Sequence, residues 1–458
     1  MWATSPKVRR FRFWWRLIIA YIKKYQFRFV ALIFLLSISG FIIVKGWNLV
    51  VRSNVISIGY AGSYTIENIP SEILELATQS LVTTDEHGES IPKLASHWTV
   101  SEDGKTYIVF LKDNLIWHDS TLVDATNISL AISNVQITAL NNKAIEFKLP
   151  SPIASFPQAL NKPIFKTKTY YGTGEYRIVK IDQVEDSVKK VSLHPKDTNL
   201  PLVEIKFYKD QLQLVDALKI GEIKYAKIPN AQKFQSWPNL NVERQTDFSQ
   251  IVTVFFNNKD SSLVSKDLRQ ALIFAINSSD FDGEVSKSPI PPQNWAYNDS
   301  VKQYSYNLVK AKELLSKLPP NDIKITLSVT PGLEFLADKI KSDWQSLGIN
   351  VELEMILQTP KNYQALLAFN RINPDPDQYS LWHSTQLETN ITGYQNVKVD
   401  KLLEDARTTT NLEERKKLYL EFQETLVEDA PAAFLYHPYR YKVVYKNIQD
   451  MVKKLPSL

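Results

Sequence analysis

The sequence of 458 residues contains no cysteine. A disulfide framework, a thiolate metal site, a cysteine nucleophile and a lipid-modified cysteine are therefore excluded. The hydrophobic content of 44% and the charged content of 22% are ordinary for a globular protein. Because the length exceeds what one hydrophobic core supports, we expect two or three domains.

Motifs for catalysis and for nucleotide binding are also missing. The six histidines are scattered without HExxH or another ligand spacing. Gly172 and Gly174 lack the third glycine and the lysine of a phosphate loop, and no G-x-S-x-G elbow occurs. Asp375 and Asp377 form a carboxylate pair, but in a proline-rich loop they suit backbone capping or a cationic ligand better than acid–base catalysis. We therefore expect that the protein is not an enzyme and binds no metal and no cofactor. A hydrolase that uses this aspartate pair is kept as the least favoured of three hypotheses, and the other two follow below.

Acidic residues are absent from residues 1–52, which hold ten lysines and arginines. The remaining chain has 44 basic and 49 acidic residues, so the basic pI belongs to the N-terminus. Residues 53–458 therefore have no excess of basic residues to neutralise phosphates, which argues against nucleic acid as a partner. Residues 29–44 form an uncharged apolar run, and extension to Val51 reaches the roughly 20 residues that a bilayer requires. We interpret residues 29–51 as a transmembrane anchor.

The preceding residues 1–28 form a basic, aromatic segment suited to the cytoplasmic side or to the membrane interface. The positive-inside rule then places the N-terminus in the cytoplasm and the body in the periplasm or at the cell surface. A cleaved signal peptide is the alternative. The long basic segment and the missing small-x-small cleavage site favour an uncleaved, single-pass anchor. We also expect the protein to be a monomer.

Hydrophobic periodicity predicts an α/β body. Residues 55–60 and 144–149 alternate as strands do, and residues 323–329, 333–347 and 349–355 read as strand, helix and strand. Such a unit implies neighbouring parallel strands joined by a right-handed crossover. The stretch 369–396, in contrast, shows neither period and contains stiff Asp-Pro steps between aromatic residues, so we predict a binding loop.

Short motifs also follow one another in a fixed order between residues 55 and 445. They include Pro92, Leu94-Ala95, Trp98, Asp103-Gly104-Lys105-Thr106, Trp117-His118-Asp119, Gly172-Thr173-Gly174-Glu175-Tyr176, Phe256-Asn257, Leu268-Arg269-Gln270-Ala271-Leu272, Pro291-Pro292, Asp375-Pro376-Asp377, Tyr394-Gln395-Asn396, Arg415 and Ala430-Pro431. In this order they resemble the family 5 extracellular solute-binding proteins, the peptide and nickel receptors of ABC importers. The resemblance implies a two-lobed periplasmic-binding-protein-like fold (type II, cluster C), in which the chain builds one lobe, crosses to a second and returns.

We place lobe I at residues 53–248 and 434–458 and lobe II at residues 249–433. Between Asp124 and Thr173 this chain is shorter than relatives usually are, which predicts a shallower or more open cleft. Arg269 matches a family position, and we interpret it as structural.

In peptide-binding relatives, an aspartate pairs with the α-ammonium of the ligand, and the matching position here is Ile372. Either Asp375 or Asp377 replaces it, or the ligand is not a free-amine peptide, and Arg371 would favour an anionic group. Our candidates for ligand binding are Asn370, Arg371, Asp375, Tyr379, Trp382, His383, Trp295 and Tyr297.

The resemblance predicts an extracytoplasmic receptor that captures a peptide or peptide-like solute and delivers it to ABC permease subunits. The alternative is a membrane-tethered sensor or scaffold that keeps the fold without transport.

Overall fold

The computed structural model describes residues 54–319, 322–358 and 362–456, together with residues 13–17, 19–21, 24, 34, 35, 37 and 39. The predicted anchor at 29–51 lies outside the described residues except for the last four of these, which are helical. Across the described residues, no helix combines the length and hydropathy needed to cross a bilayer. The chain divides after Ile56 into two compact units, and the unit from Ser57 onward holds the fold.

The residues from Val55 onward form the following strands and helices. The strands are β1 (Val55–Ala61), β2 (Val82–Thr84), β3 (Ser90–Pro92), β4 (Ala95–Val100), β5 (Thr106–Leu111), β6 (Ile128–Ser129), β7 (Gln136–Asn141), β8 (Ala144–Lys148), β9 (Phe165–Lys166), β10 (Tyr176–Val184), β11 (Ser187–Pro195), β12 (Leu202–Tyr208), β13 (Tyr225–Ile228), β14 (Leu240–Thr246), β15 (Gln250–Phe256), β16 (Gly283–Val285), β17 (Lys324–Val329), β18 (Asn350–Met355), β19 (Ala365–Arg371) and β20 (Ala432–Tyr445). The helices are α1 (Ser71–Ala77), α2 (Phe156–Ala159), α3 (Gln211–Lys219), α4 (Lys266–Ala275), α5 (Leu308–Leu315), α6 (Glu334–Gln345), α7 (Tyr379–Trp382), α8 (Val397–Thr408), α9 (Leu412–Asp429) and α10 (Gln449–Val452).

The central feature is a mixed sheet with the strand order β10-β11-β12-β1-β13-β20-β15-β19-β17-β18, in which β14 and β16 also pair with β20. The 14-residue strand β20 lies in the middle of this sheet and pairs with strands on both sides of it. Its first part pairs with β15 and β16, and its last part pairs with β13 and β14. We call β1 and β10–β14 the N-terminal half-sheet and β15–β19 the central half-sheet.

Each half-sheet packs against its own helices. In the N-terminal half-sheet, Leu214 and Leu218 of α3 cover a face that includes Ala226 and Val443. The central half-sheet is covered on one face by α4, α5 and α6, and Trp344 is fully buried there. Helices α8 and α9 cover its other face.

A separate antiparallel sheet, β4-β5-β8-β7, has its own core around Tyr107, Trp117 and Phe147. The hairpin between β4 and β5 turns at Ser101–Lys105, where the side chain of Asp103 accepts hydrogen bonds from Ser101 and from the backbone of Lys105. Between Asp124 and Thr173 the chain forms the strands β6–β9, a 3-10 turn at Ala125–Asn127 and the single turn α2.

Most of the periodic elements form where the sequence predicts them. The unit β17-α6-β18 has parallel strands in register from Lys324↔Asn350 to Val329↔Met355, as predicted. Asn411 caps α9 by accepting a hydrogen bond from the backbone of Glu414 at 3.1 Å. The prediction of an irregular segment over 369–396 is wrong at two places, because β19 continues to Arg371 and α7 forms a helical turn.

The motif Gly172–Tyr176 fixes the contact between α1 and the start of β10. The backbone N–H of Gly174 donates to the carbonyl of Ala77 at 3.0 Å, and a Cβ on Gly174 would lie 2.6 Å from the carbonyl oxygen of Leu76. Glycine is therefore required because another backbone segment occupies the position of a side chain.

We expect Gly174→Ala to lower the free energy of unfolding by about 1–3 kcal/mol, because the added methyl group overpacks the end of α1. Urea unfolding measures this loss. Glu175→Ala, at the exposed neighbouring position, is the control and should stay within about 0.5 kcal/mol of the wild type. Equal stability of both variants would contradict this close approach.

Candidate functional site

One face of the N-terminal half-sheet carries a group of polar side chains. The registers Gly59↔Ala226, Lys227↔Lys442 and Gln245↔Arg440 align neighbouring strands. Because side chains alternate across a strand, these registers place one set of residues on the same face. That set is Tyr60, Tyr225, Lys227, Gln245 and Arg440, whereas Ala226, Ile228, Val242 and Val443 point into the core beneath α3.

This polar face forms the floor of a cavity of 430 Å³, which we call the crossing cavity. The wall includes Glu72 of α1, Tyr64 and Gln211. The remaining side is formed by Thr246, Asp247 and Ser249, the segment through which the chain passes from β14 to β15.

Charged and phenolic groups meet in the crossing cavity. Nζ of Lys227 lies 3.2 Å from Oε2 of Glu72, and both side chains are more than one-third exposed. Burial and the neighbouring carboxylate of Glu72 raise the pKa of Tyr60. The same two causes raise the pKa of Tyr225, so both phenols remain protonated donors at neutral pH.

Tyr225 has an unsatisfied hydroxyl group. The residue is 1% exposed and lines the crossing cavity, and its hydroxyl has no hydrogen-bond partner in the described part of the chain. A buried hydroxyl at a cavity wall can donate a hydrogen bond to a solute that enters the cavity.

The two segments that connect the half-sheets are joined by an ion pair. Nε of Arg440 on β20 lies 3.1 Å from Oδ2 of Asp247 on the first crossing segment. Asp247 also accepts from the side chains of Ser249 and Gln250. Burial acts to raise the pKa of Asp247, but these hydrogen bonds and Arg440 outweigh it and lower the pKa. Asp247 therefore stays charged and holds both crossings together.

A second cavity of 250 Å³ adjoins the same segment and shares Ser249 with the first. It contains Ile372, whose backbone N–H donates to the carbonyl of Ser249 at 2.8 Å, and also Phe248 and Pro291. The position where peptide-binding relatives are expected to have an aspartate is therefore apolar. The nearby Asp85 is occupied, because its carboxylate accepts from the backbones of His87 and Glu89.

Asp375 is part of a buried ion pair rather than an open anchor. Its two carboxylate oxygens each lie 2.7 Å from a terminal nitrogen of Arg415, and the side chains are 12% and 6% exposed. Arg415 also donates to the carbonyl of Ala406 and to the hydroxyl of Tyr419. Burial acts to lower the pKa of Arg415, but Asp375 outweighs it and raises the pKa. This pair fastens the loop after β19 to α9.

Two further candidates are enclosed by protein. Trp382 is fully buried among Phe255, Tyr394 and Phe434. His383 is 2% exposed, and its Nδ1 accepts from the backbone N–H of Thr385, so Nε2 carries the proton toward Glu404 at 3.2 Å. Their enclosure gives them a structural role here, in contrast to the cleft lining expected from the sequence.

The other ligand-binding candidates from the sequence are more accessible. None of the eight candidates, however, lines the crossing cavity or the second cavity. Tyr379 stacks on His383 and lies under the guanidinium of Arg407. Trp295 and Tyr297 are half-buried beside α9. Asn370 and Arg371 end β19 at the side of the crossing segment, and Arg371 lies close enough to Tyr64 to affect its pKa. Their contact with a ligand stays a prediction.

Sequence reasoning missed the residues that line the crossing cavity. A signal for them exists, because the strands YAKI (225–228) and RYKVVY (440–445) carry polar residues at alternate positions within otherwise apolar surroundings. Arg269, in contrast, is structural as predicted, since it donates to four backbone carbonyls, those of Leu263, Val264, Asp429 and Ala430.

Comparison with known proteins identifies the family. The sequence profile of the bacterial extracellular solute-binding proteins, family 5 (middle region), matches residues 125–392, which is more than half of the chain. This chain belongs to family 5 of the extracellular solute-binding proteins. It is 26% identical to the oligopeptide-binding protein AppA of Bacillus subtilis over 373 residues, which cover 72% of this chain and 64% of AppA.

For other relatives, the alignment with this chain covers a larger share of their length. The di/tripeptide-binding protein 1 of Pseudomonas aeruginosa is 23% identical over 445 residues, covering 79% of this chain and 83% of that protein. The structure of the ABC transporter substrate-binding protein CtaP from Listeria monocytogenes superposes with a TM-score of 0.73 at 21% identity, over 85% of this chain and 94% of CtaP. This likeness shows the mixed α/β, two-domain, periplasmic-binding-protein-like fold expected for the family.

We expect Asp375→Ala to lower the free energy of unfolding by about 3–5 kcal/mol, because it leaves the guanidinium of Arg415 buried without its carboxylate. Urea unfolding measures the change. Asp405→Ala removes an exposed partner of Lys401 and is the control, with an expected loss of at most about 1 kcal/mol. A loss for Asp375→Ala as small as for the control would contradict the role of this pair.

A pH-dependent stability is expected from His437, which is fully buried on β20 beside the first crossing segment. Burial lowers its pKa, and Nε2 has no hydrogen-bond partner among the described residues. The unfolded chain therefore binds more protons than the folded one below about pH 6.5, so stability falls as the pH drops through this value. The melting temperature of the wild type should decrease more between pH 7.5 and 5.5 than that of His437→Gln.

His194→Gln, on an exposed strand position, should keep the wild-type dependence. If the melting temperatures of the wild type and of His437→Gln fall by the same amount between pH 7.5 and 5.5, His437 does not contribute to the pH dependence of stability.

Proposed function

We propose that this protein is an extracytoplasmic substrate-binding protein of an ABC importer, which captures a peptide or peptide-like solute in the cleft between two lobes. The observation that carries the proposal is the crossing cavity, where charged and phenolic side chains surround a 430 Å³ space beside the segment that connects the half-sheets. A site of this volume with a few convergent polar groups has the character of a ligand pocket.

The position of the cavity supports capture by lobe movement. We propose lobe I as residues 53–248 and 434–458 and lobe II as residues 249–433. The first crossing follows β14 and the second lies within β20. A ligand bound beside both crossings can favour the closed arrangement of the lobes through its differential contacts with the two states.

The family relationship supports the solute class. AppA is named an oligopeptide-binding protein, and the Pseudomonas relative is named a di/tripeptide-binding protein. We extend this to a peptide ligand for the present chain, with ABC permease subunits as partners.

The membrane arrangement is part of the same proposal. Residues 29–51 anchor a monomeric body at the outer face of the cell membrane, and residues 1–28 remain on the cytoplasmic side. The uncharged run 29–44 and the absence of acidic residues before residue 53 support this arrangement. Within the cleft, we propose that Asn370, Arg371, Trp295 and Tyr297 supply contacts from lobe II.

The proposal predicts that the full chain, purified gently in mild detergent, carries peptides that mass spectrometry identifies after denaturation. Adding a recovered peptide at about 100 times its dissociation constant should stabilise the ligand-free protein by roughly 2.7 kcal/mol, visible as a raised melting temperature. A mock purification from cells lacking the protein is the control. A preparation that contains no peptide, and whose melting temperature no peptide pool changes, would contradict capture and favour the sensor or scaffold.

A further inference from the structure

A further cavity, of 180 Å³, lies against the first part of β20, and we call it the β20 pocket. It shares no lining residue with the crossing cavity or with the second cavity. Its walls come from the end of α4, the turn after it, β16, the segment 302–306, α9 and β20, and their apolar members include Ile273, Ile276, Phe281, Val285, Val427, Ala433 and Leu435. The β20 pocket is therefore separate from the site proposed for the captured solute.

The interior of the β20 pocket is apolar. Ile273 and Ile276 are 7% and 4% exposed, and Leu435 on β20 is 4% exposed. Ala433 belongs to the same core cluster and fills little space, since its side chain is a single methyl group. A volume of 180 Å³ corresponds to about six water molecules, so the pocket admits one aromatic ring or a short aliphatic chain. Transfer of such a group from water to these aliphatic walls is favourable.

The polar part of the lining is cationic. It contains Lys287 and Lys302 and, among the described lining residues, no aspartate or glutamate. Nζ of Lys302 lies 3.1 Å from Oε2 of Glu428, so this charge is already compensated from outside the lining. Lys287 is exposed and has no ion-pair or hydrogen-bond partner in the described part of the chain. It supplies a positive charge that an incoming anion can neutralise.

Ser278, in the turn after α4, adds a neutral donor to the same lining. The residue is half-buried, and its hydroxyl has no hydrogen-bond partner among the residues that the structure describes. A carboxylate that pairs with an ammonium and accepts from a hydroxyl forms charge-assisted hydrogen bonds, which are stronger than those between neutral groups.

From this combination we infer that the β20 pocket binds a small apolar monocarboxylate, such as a short-chain or arylacetic acid. Its apolar body lies between Ile273, Ile276 and Leu435, and its carboxylate is received by Lys287 with Ser278 as a second donor. A neutral ligand would leave Lys287 uncompensated, and an amine would be repelled by both lysines. This inference goes beyond the proposed function, because it assigns a second ligand to a second site.

The test uses the full chain in mild detergent and follows 4-fluorophenylacetate by ¹⁹F NMR, with the same detergent without protein as the control. We expect saturable binding at one site per chain. The neutral 4-fluorophenylacetamide should bind about 3- to 10-fold more weakly, because it keeps the ring and loses the charge. The cation 4-fluorophenethylamine should bind more weakly than the amide.

Competition by unlabelled acids measures the size of the apolar body. Hexanoate should displace the probe more effectively than butyrate, by about fourfold for each added methylene group, because these groups enter the pocket. Octanoate should gain little over hexanoate, since the pocket is then full. A gain that continues undiminished through octanoate would assign the carboxylate to a long-chain fatty acid and overturn the small ligand inferred here.

Two variants assign the charge and the walls. Lys287→Gln should remove the preference for the acid over the amide and leave the binding of the amide unchanged. Ala433→Val adds two methyl groups to the wall and should weaken the acid and the amide alike, by about fivefold or more. The matched control Lys233→Gln, at an exposed position outside the β20 pocket, should bind like the wild type.

A wild type that shows no saturable binding of the acid would overturn the inference, and so would equal binding of the acid, the amide and the amine. Full retention of the preference for the acid in Lys287→Gln would overturn the assignment of the carboxylate to this residue. Because the three probes are compared on the wild type, the decisive result does not depend on whether a variant folds. None of these outcomes alters the proposed capture of a solute at the crossing cavity, which has its own test.

Discussion

The shared pairing of β20 is the constraint on which the rest of the structure depends. One 14-residue strand forms hydrogen bonds with β15 and β16 near its start and with β13 and β14 near its end. The half-sheets are therefore joined by a backbone ladder at the point where the chain also crosses from β14 to β15. Asp247 and Arg440 connect these two crossings through their side chains, so electrostatics and backbone pairing act at the same place.

The position of the cavity follows from this arrangement. Residues from β1, β13, β14 and β20 share one face because their registers agree, and the other face is used to pack α3. The other face carries polar side chains at Tyr60, Lys227, Gln245 and Arg440, and the crossing segment Thr246–Ser249 lies beside them. A cavity lined by charged and phenolic groups results, and a bound solute there contacts the crossing segment itself.

Local elements could be predicted from the sequence, whereas the site could not. The strand–helix–strand unit at β17-α6-β18 has a clear hydrophobic period, and its predicted ends agree with the structure within two residues. The stretch 369–396 was interpreted from its composition as a binding loop. Asp375, however, is neutralised by Arg415, 40 residues away, and Trp382 packs against Phe255 and Phe434 from two distant strands. Such partners depend on tertiary packing, which no local pattern encodes.

The residues of the crossing cavity come from segments separated by as much as 380 residues, and only the sheet registers bring them together. Hydrogen–deuterium exchange of the full chain with and without the bound peptide tests this account most directly. The account predicts added protection in residues 57–64, 225–228, 245–251 and 437–441, the segments that surround the cavity and the crossings. Protection confined to the distant cavity around Asn257, Thr326 and Glu354, or no change in the crossing segments, would contradict it.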